Sequence, residues 1–179
     1  KHRGEYFSSR GWHLVGIETP IVISPDKRYN NVLFNGFIDL VMYHEPTNRF
    51  VIYDIKTSTR GWSDKEKKDE IKQSQIILYK IYFSEQFGVS VDDIEVKFFI
   101  LKRKIWEESE FPQKRIQEFS PTDGKIKMKK AKNALVGFIE NAFNIDDSYK
   151  STDHQPNPSK HNCKYCAYRQ LKSLCSEGI

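Results

Sequence analysis

The chain predicts an α/β fold, a sheet flanked by helices, and three observations predict it. Runs rich in β-branched and aromatic residues occupy positions 12–23, 32–43 and 49–58, separated by turn clusters. The hydrophobic period changes from strand-like to helical at Ser63. A further β run at 94–101 then precedes a second helical stretch.

Residues 1–10 are polar and carry no clear pattern. In the first strand, Trp12 to Ile23, Pro20 suggests an edge or a bulge because it has no N–H to give to a ladder. The Ser-Pro-Asp-Lys-Arg-Tyr-Asn-Asn segment from Ser24 to Asn31 is a turn cluster. Val32 to Tyr43 is the second strand, and Glu45-Pro46-Thr47-Asn48 turns the chain back into the third. The second and third strands are therefore expected to be antiparallel neighbours. Pairing around a turn at 46–48 brings Asp39 and Asp54 to the same end of the sheet only if bulges or bends adjust the register.

A helix is expected over 63–87, with Ile71, Gln75, Leu78, Tyr79, Tyr82 and Gln86 at helical spacing on its inner face. Ser63 and Glu66 have capping-box spacing, and Gly88 is the stop. Ile94 to Leu101 is a strand, and 114–119 a shorter one. Pro121-Thr122 opens a second helix, with Ile126, Ala131, Leu135, Phe138, Ile139 and Phe143 facing inward. The expected organisation is a core at 1–145, a polar linker with two prolines at 146–160, and a cysteine-bearing tail at 161–179.

At 179 residues the chain has the length of one domain. Its 38% hydrophobic and 30% charged residues suit a soluble globular protein. No apolar run approaches the roughly 20 residues of a membrane span, and no signal-peptide pattern is present. An intracellular protein, cytoplasmic or nucleoid-associated, without a membrane partner, is the expectation. A net charge of +5 and a pI near 9.0 favour a polyanionic partner. Three cysteines within the last 17 residues make no even disulfide set, and their clustering points to a metal or cluster site.

Chemistry concentrates where the third strand ends, at Tyr53-Asp54-Ile55-Lys56-Thr57-Ser58. Alternation puts Asp54 and Lys56 on one face and Tyr53 and Ile55 on the other. A carboxylate and an ammonium closing an apolar strand cost desolvation energy unless each finds a partner. Similar pairs occur elsewhere, without the same context. Asp123-Gly124-Lys125 lies at a turn, and Glu95-Val96-Lys97 lies on a strand with no comparable neighbours.

Gly36-Phe37-Ile38-Asp39 on one strand, Asp54-Ile55-Lys56 on the next and Gln75-Ile76-Ile77-Leu78-Tyr79 on the following helix form an ordered triplet. The triplet resembles the G-x-x-D, D-x-K and Q-x-x-x-Y motifs of the RecB-like branch of the PD-(D/E)XK nucleases. That branch includes exonuclease domains of bacterial recombination helicases, CRISPR spacer-acquisition nucleases and the mitochondrial genome maintenance exonuclease. The resemblance implies a restriction-endonuclease-like core with a central mixed sheet. It also implies a metal-dependent DNA nuclease, expected to be an exonuclease in repair, recombination or replication, with a helicase, recombination or replication protein as partner. The alternative is a DNA-binding or accessory subunit with weak or partner-dependent activity.

On this resemblance the catalytic residues are Asp39, Asp54, Lys56, Gln75 and Tyr79. The metal ligands are Asp39, Asp54, the Ile55 carbonyl and Glu18, a hard oxygen set suited to Mg²⁺ or Mn²⁺. Bland readings stand beside these: a structural Asp54–Lys56 ion pair, helix-to-sheet packing for Gln75 and Tyr79, and a surface carboxylate for Glu18. Many relatives add a ligand histidine from an upstream helix. Here only His2 and His13 precede Glu18, so that helix is expected to lie in sequence upstream of Lys1.

Cys163, Cys166 and Cys175, preceded by His161, resemble the C-terminal trio that holds a [4Fe-4S] cluster in several RecB-like nucleases. A Cys₃His Zn²⁺ site and three reduced thiols without metal are the competing readings. Finally, Lys125, Lys127, Lys129, Lys130 and Lys132 crowd the second helix, with Lys129 and Lys130 as candidate DNA contacts.

Overall fold

The computed structural model describes residues 11–106, 108–151, 156–171 and 173–177. The chain divides into two compact units, residues 1–148 and 149–179. His2 lies outside the described residues.

In the first unit, five strands form one mixed sheet in the order β1 (Trp12–Ile23), β2 (Phe34–His44), β3 (Arg49–Ser58), β4 (Ile94–Lys102) and β5 (Ile116–Phe119). All neighbouring pairs are antiparallel except β3 and β4, which run parallel. A parallel pair needs a crossover. Here it is supplied by α1 (Asp64–Lys67) and α2 (Glu70–Phe87), while α3 (Lys125–Ala142) follows β5. The main core joins Ile38, Val41 and Ile52 of the sheet, with Val96, Phe98 and Ile100 of β4, to Ile76, Ile77, Tyr82 and Phe83 of α2 and Ala131 of α3. A smaller cluster of Met42, Val51 and Tyr53 gathers Leu40 and Phe99 around it.

The β2–β3 hairpin settles the register. Its last pair at the tip is His44 with Arg49, so Asp39, five residues back, falls opposite Asp54, five residues on. No bulge between these strands is required, contrary to the expectation from turn position alone. A 3-10 turn at Glu45–Thr47 and left-handed Asn48 (φ 51°) close the hairpin tightly enough to fix the pairing.

The single helix expected over 63–87 is two helices. The Ser63–Glu66 capping box is present, but it caps only α1. Asp69 interrupts the run, because its Oδ1 accepts from the N–H groups of Ile71 (3.0 Å) and Lys72 (3.3 Å) and restarts the helix. Gly88 ends α2 in the left-handed conformation, as a helix stop does. The expected inner face needs correction as well. Ile71 is 85% exposed, whereas Ile76, Ile77, Tyr79, Lys80, Ile81, Tyr82 and Phe83 are all buried. The middle of α2 packs against the sheet on one side and meets α3 on another, so a simple stripe cannot describe it.

In α3, Ala131 and Ile139 are buried and Leu135 packs against the core, but Ile126 and Phe138 are exposed. The helix begins at Lys125 rather than at Pro121. The residue before its Gly124 cap, Asp123, holds the buried ammonium of Lys80 at 2.6 Å. The Asp123-Gly124-Lys125 sequence is thus a helix start, with its acid already engaged. No helix among the described residues is long and apolar enough to cross a membrane.

β1 is an edge strand, in keeping with Pro20. Gln86 of α2 completes that edge, accepting from Val22 N–H (2.9 Å) and donating to the Pro20 carbonyl (3.0 Å).

The unit formed by residues 149–179 shows turns from Lys160 onward, with no helix or strand among its described residues 156–171 and 173–177.

The Lys80–Asp123 pair yields a stability prediction. Asp123→Ala leaves a buried ammonium without its partner and should cost about 2–4 kcal/mol, less than a fully buried pair because Asp123 is 30% exposed. Lys80→Met added to it should recover most of the loss. Urea midpoints at constant slope would measure both steps.

Candidate active site at the split between two strands

β2 and β3 pair only as far as Leu40 and Tyr53, and beyond that point the two strands separate. Asp39 and Asp54 stand at the first position of the split. β2 also rolls over there. Leu40 and Met42 belong with the smaller cluster and Val41 with the main core, yet Ile38, two residues from Leu40, returns to the main core. On the other side of β2, Glu18 falls opposite Asp39, between the pairs Ile17–Leu40 and Thr19–Ile38. Glu18 adopts φ 48°, a left-handed conformation unusual for a residue with a side chain. Irregular strands at one level are how a sheet re-aims side chains beside a site.

The split leaves backbone groups of β3 without a strand partner, and Asp39 takes over that role. Its Oδ2 accepts the Ile55 N–H at 2.6 Å. The N–H and C=O of one strand residue point the same way, so the Ile55 carbonyl also faces the gap left by β2. Asp54 is 3% exposed. Lys56 Nζ donates to its Oδ1 at 3.1 Å and lies 2.9 Å from its Oδ2. The second contact is an ion pair without hydrogen-bond alignment, so buried Oδ2 has no hydrogen bond. Burial pushes the Asp54 carboxyl above its ordinary range, Lys56 pulls it back, and the charge of Asp39 pushes it up again.

α2 supplies the rest of the site. Gln75 Oε1 lies 3.4 Å from Lys56 Nζ, and Gln75 Nε2 lies 3.3 Å from the hydroxyl of Tyr79, one turn further on. The Tyr79 ring then meets β2 at Gly36. A Cβ added to Gly36 would stand 2.9 Å from Tyr79 Cε1 and 3.1 Å from its hydroxyl. All three sequence motifs therefore join physically: Gly36 touches Tyr79, Tyr79 contacts Gln75, Gln75 reaches Lys56, and Lys56 pairs with Asp54.

Other candidates from the sequence sit differently. Glu18 is exposed, and no three His, Cys, Asp or Glu side chains among the described residues converge as metal ligands, so it does not complete a carboxylate trio with Asp39 and Asp54. Glu95 pairs with Arg49 (3.6 Å) and Lys97 (3.9 Å), on positions of β4 that alternate with its core-facing residues. On α3, Lys130 pairs with Glu70 at 2.6 Å, joined by Lys127 at 3.4 Å, and Lys132 pairs with Glu85 at 2.9 Å. Lys130 is thus an interhelical partner, while Lys129 makes no such pair among the described residues. Cys163 is buried, Cys166 exposed and Cys175 between the two. The turn that links Cys166 N–H to the Cys163 carbonyl at 3.3 Å leaves the two thiols with opposite exposure. Among the described residues, Cys163, Cys166, Cys175 and His161 do not stand together as a group of three or more ligating side chains.

The sequence reading assigns no role to Arg60, Lys104 or Trp106, which line a groove past the ends of β3 and β4. The basic run Lys102-Arg103-Lys104 closing on Trp106 was the available signal.

The Asp39–Asp54 split fits a hard divalent cation. Asp54 Oδ2 is buried without a hydrogen bond, a second carboxylate faces it, and the Ile55 carbonyl adds a third oxygen. The Gly36–Tyr79 contact also makes a prediction. Gly36→Ala should destabilise the fold by about 1–3 kcal/mol through overpacking. The same substitution should cost markedly less in a Tyr79→Ala background, a non-additivity that a double-mutant cycle in urea would read.

A search of characterised proteins finds no match to the chain. A solved structure titled "Crystal structure of SSO0001" superimposes with a TM-score of 0.46 at 15% identity, covering 99% of this chain and 65% of that one. The chain thus spans less than two thirds of that structure's length. The sequence profile described as the PD-(D/E)XK nuclease superfamily matches residues 2–171, a span that takes in the strand split and the helix that braces it. On that match, the chain belongs to the PD-(D/E)XK nuclease superfamily.

Proposed function

We propose that this chain is a Mg²⁺- or Mn²⁺-dependent deoxyribonuclease of the RecB-like branch, acting as an exonuclease in DNA repair, recombination or replication. Superfamily membership indicates a metal-dependent nuclease. The observation that carries the finer reading is the unbroken run of contacts from Asp54 through Lys56 and Gln75 to Tyr79, with Asp39 across the split.

Asp39, Asp54 and the Ile55 carbonyl would hold the cation. With a divalent ion held there, the site would gain a water of lowered pKa and compensation for charge on the phosphoryl oxygens. Asp54 must be ionised to serve, and Lys56 favours that state inside the low-dielectric strand end. The Lys56 ammonium, 32% exposed, also reaches the solvent side of the pair, where it can orient the attacking water and face a phosphate. Gln75 holds the lysine head from the helix side, and Tyr79 holds Gln75. The arrangement is one of positioning and charge, as phosphodiester hydrolysis requires.

A second reading, an accessory module with weak or partner-dependent cleavage, draws on Glu18. That residue does not join Asp39 and Asp54, leaving two carboxylates in place among the described residues.

Cleavage of end-labelled, end-blocked and circular DNA with added Mg²⁺ or Mn²⁺ tests the proposal. Activity confined to free ends supports an exonuclease, and no cleavage of any substrate refutes the enzyme. Asp54→Asn and Lys56→Ala should each lower cleavage at least about 100-fold. Full activity in Lys56→Ala would remove that residue from the mechanism.

Stability gives an independent readout. Burial raises the Asp54 pKa, so the folded state favours the protonated form. Stability contributed by that preference is lost as pH rises from the ordinary carboxylate value through the raised one. Without metal, Asp54→Asn should therefore hold its stability across that rise better than the parent. Divalent cation at about 100 times its dissociation constant should restore about 2.7 kcal/mol to the parent and none to Asp54→Asn.

A further inference from the structure

The parallel ladder between β3 and β4 does not stop at the active-site level. It runs from Asp54–Phe98 to Ser58–Lys102, and two more bonds extend it, Arg103 N–H to Ser58 O at 2.8 Å and Lys104 N–H to Thr59 O at 2.9 Å. Past this end opens a groove of about 600 Å³, lined by Arg60, Lys104, Ile105, Trp106, Glu108 and Gln113. In α/β sheets, ligands collect outside the carboxyl ends of parallel strands.

Three features of this groove point to one kind of occupant. Trp106 is 70% exposed, a large apolar face left in water. Gln113 Oε1 accepts the Trp106 backbone N–H at 3.5 Å, tying the segment that carries the indole. Arg60 and Lys104 have no ion-pair partner among the described residues, in contrast to the lysines of α3. Glu108 is the single acid among the lining residues. Arg60 lies four residues after Lys56 and two beyond the end of β3, so the groove adjoins the end of the strand that carries the site.

We propose that Arg60, Lys104 and Trp106 form a subsite for single-stranded nucleic acid, whose bases stack on Trp106 while the two cations follow the backbone toward Asp54 and Lys56. A duplex keeps its bases stacked on one another and offers an exposed indole nothing to stack with, except at its ends. A single strand offers a base face at every nucleotide. The inference rests on the nuclease reading of the strand split and adds the substrate form to it.

Binding separates from cleavage in Asp54→Asn protein with chelator present, using a short fluorescent oligothymidylate and a blunt hairpin duplex as probes. Adding Trp106→Ala should weaken oligothymidylate binding about tenfold or more, with hairpin binding changed less than about twofold. Trp106→Phe should stay within about threefold of its parent, because a ring remains for stacking. Arg60→Glu with Lys104→Glu should reduce the salt slope of oligothymidylate binding by about one to two. Stacking should also quench tryptophan fluorescence, an effect lost in Trp106→Ala, where Trp12 and buried Trp62 remain as the indoles.

Unchanged oligothymidylate binding in Trp106→Ala would overturn the subsite, as would an equal loss on the hairpin. The two readings fail separately. Cleavage by the wild-type chain with Trp106-independent binding refutes only the subsite. Trp106-dependent binding with no cleavage on any substrate refutes only the nuclease.

Discussion

Asp54 brings a carboxylate to a position 3% exposed, directly after the apolar and aromatic run Phe50 to Tyr53, and the fold is arranged around keeping it there. A buried charge persists only when other groups replace the water it has lost. Lys56 supplies the countercharge two residues on, along the same face. β2 must leave β3 at this level, since a continued ladder would close the gap the two aspartates share. Its departure leaves the Ile55 N–H without a strand partner, and the Asp39 carboxylate takes that hydrogen bond. The crossover that makes β3 and β4 parallel returns α2 over the strand, so that Gln75 reaches the lysine and Tyr79 holds Gln75.

Much of this was legible in the sequence, and the reasons for the rest are specific. Strand runs, the capping box at Ser63 and the stop at Gly88 are local signals and read directly. The register of Asp39 against Asp54 depends on which residues pair at the hairpin tip, and Glu45-Pro46-Thr47-Asn48 admits more than one answer. The break at Asp69 was hidden because an aspartate inside a helical pattern reads equally as a surface acid or as a cap. Lys80 is buried through a partner 43 residues away, which no helical period can show. Glu18 followed the pattern of an acid before the G-x-x-D strand, but its left-handed backbone and exposure belong to tertiary structure.

Charge counting was the least reliable guide. The lysines of α3 suggest a basic face, yet Lys127, Lys130 and Lys132 meet Glu70 and Glu85 of α2. Arg28 likewise reaches both Asp26 and Glu140. These pairs are partly exposed, and each contributes little to stability. They matter because they remove cations from the set available to a polyanion. Fewer residues therefore carry the outward field than the 29 lysines and arginines suggest, and those beyond the ends of β3 and β4 gain weight.

The amide of Gln86 has a consequence of its own. An open sheet edge displays donors and acceptors that a strand from another molecule can adopt. On β1, the Pro20 carbonyl and Val22 N–H are occupied by one side chain in the pattern a neighbouring strand would use. Pro20, pointing to the same side as its held carbonyl, offers no N–H there at all. A helix residue thus impersonates a strand and denies that edge to other copies of the chain. The protection depends on α2 staying docked, so any state that loosens this helix exposes the active site and a polymerisation-competent edge together.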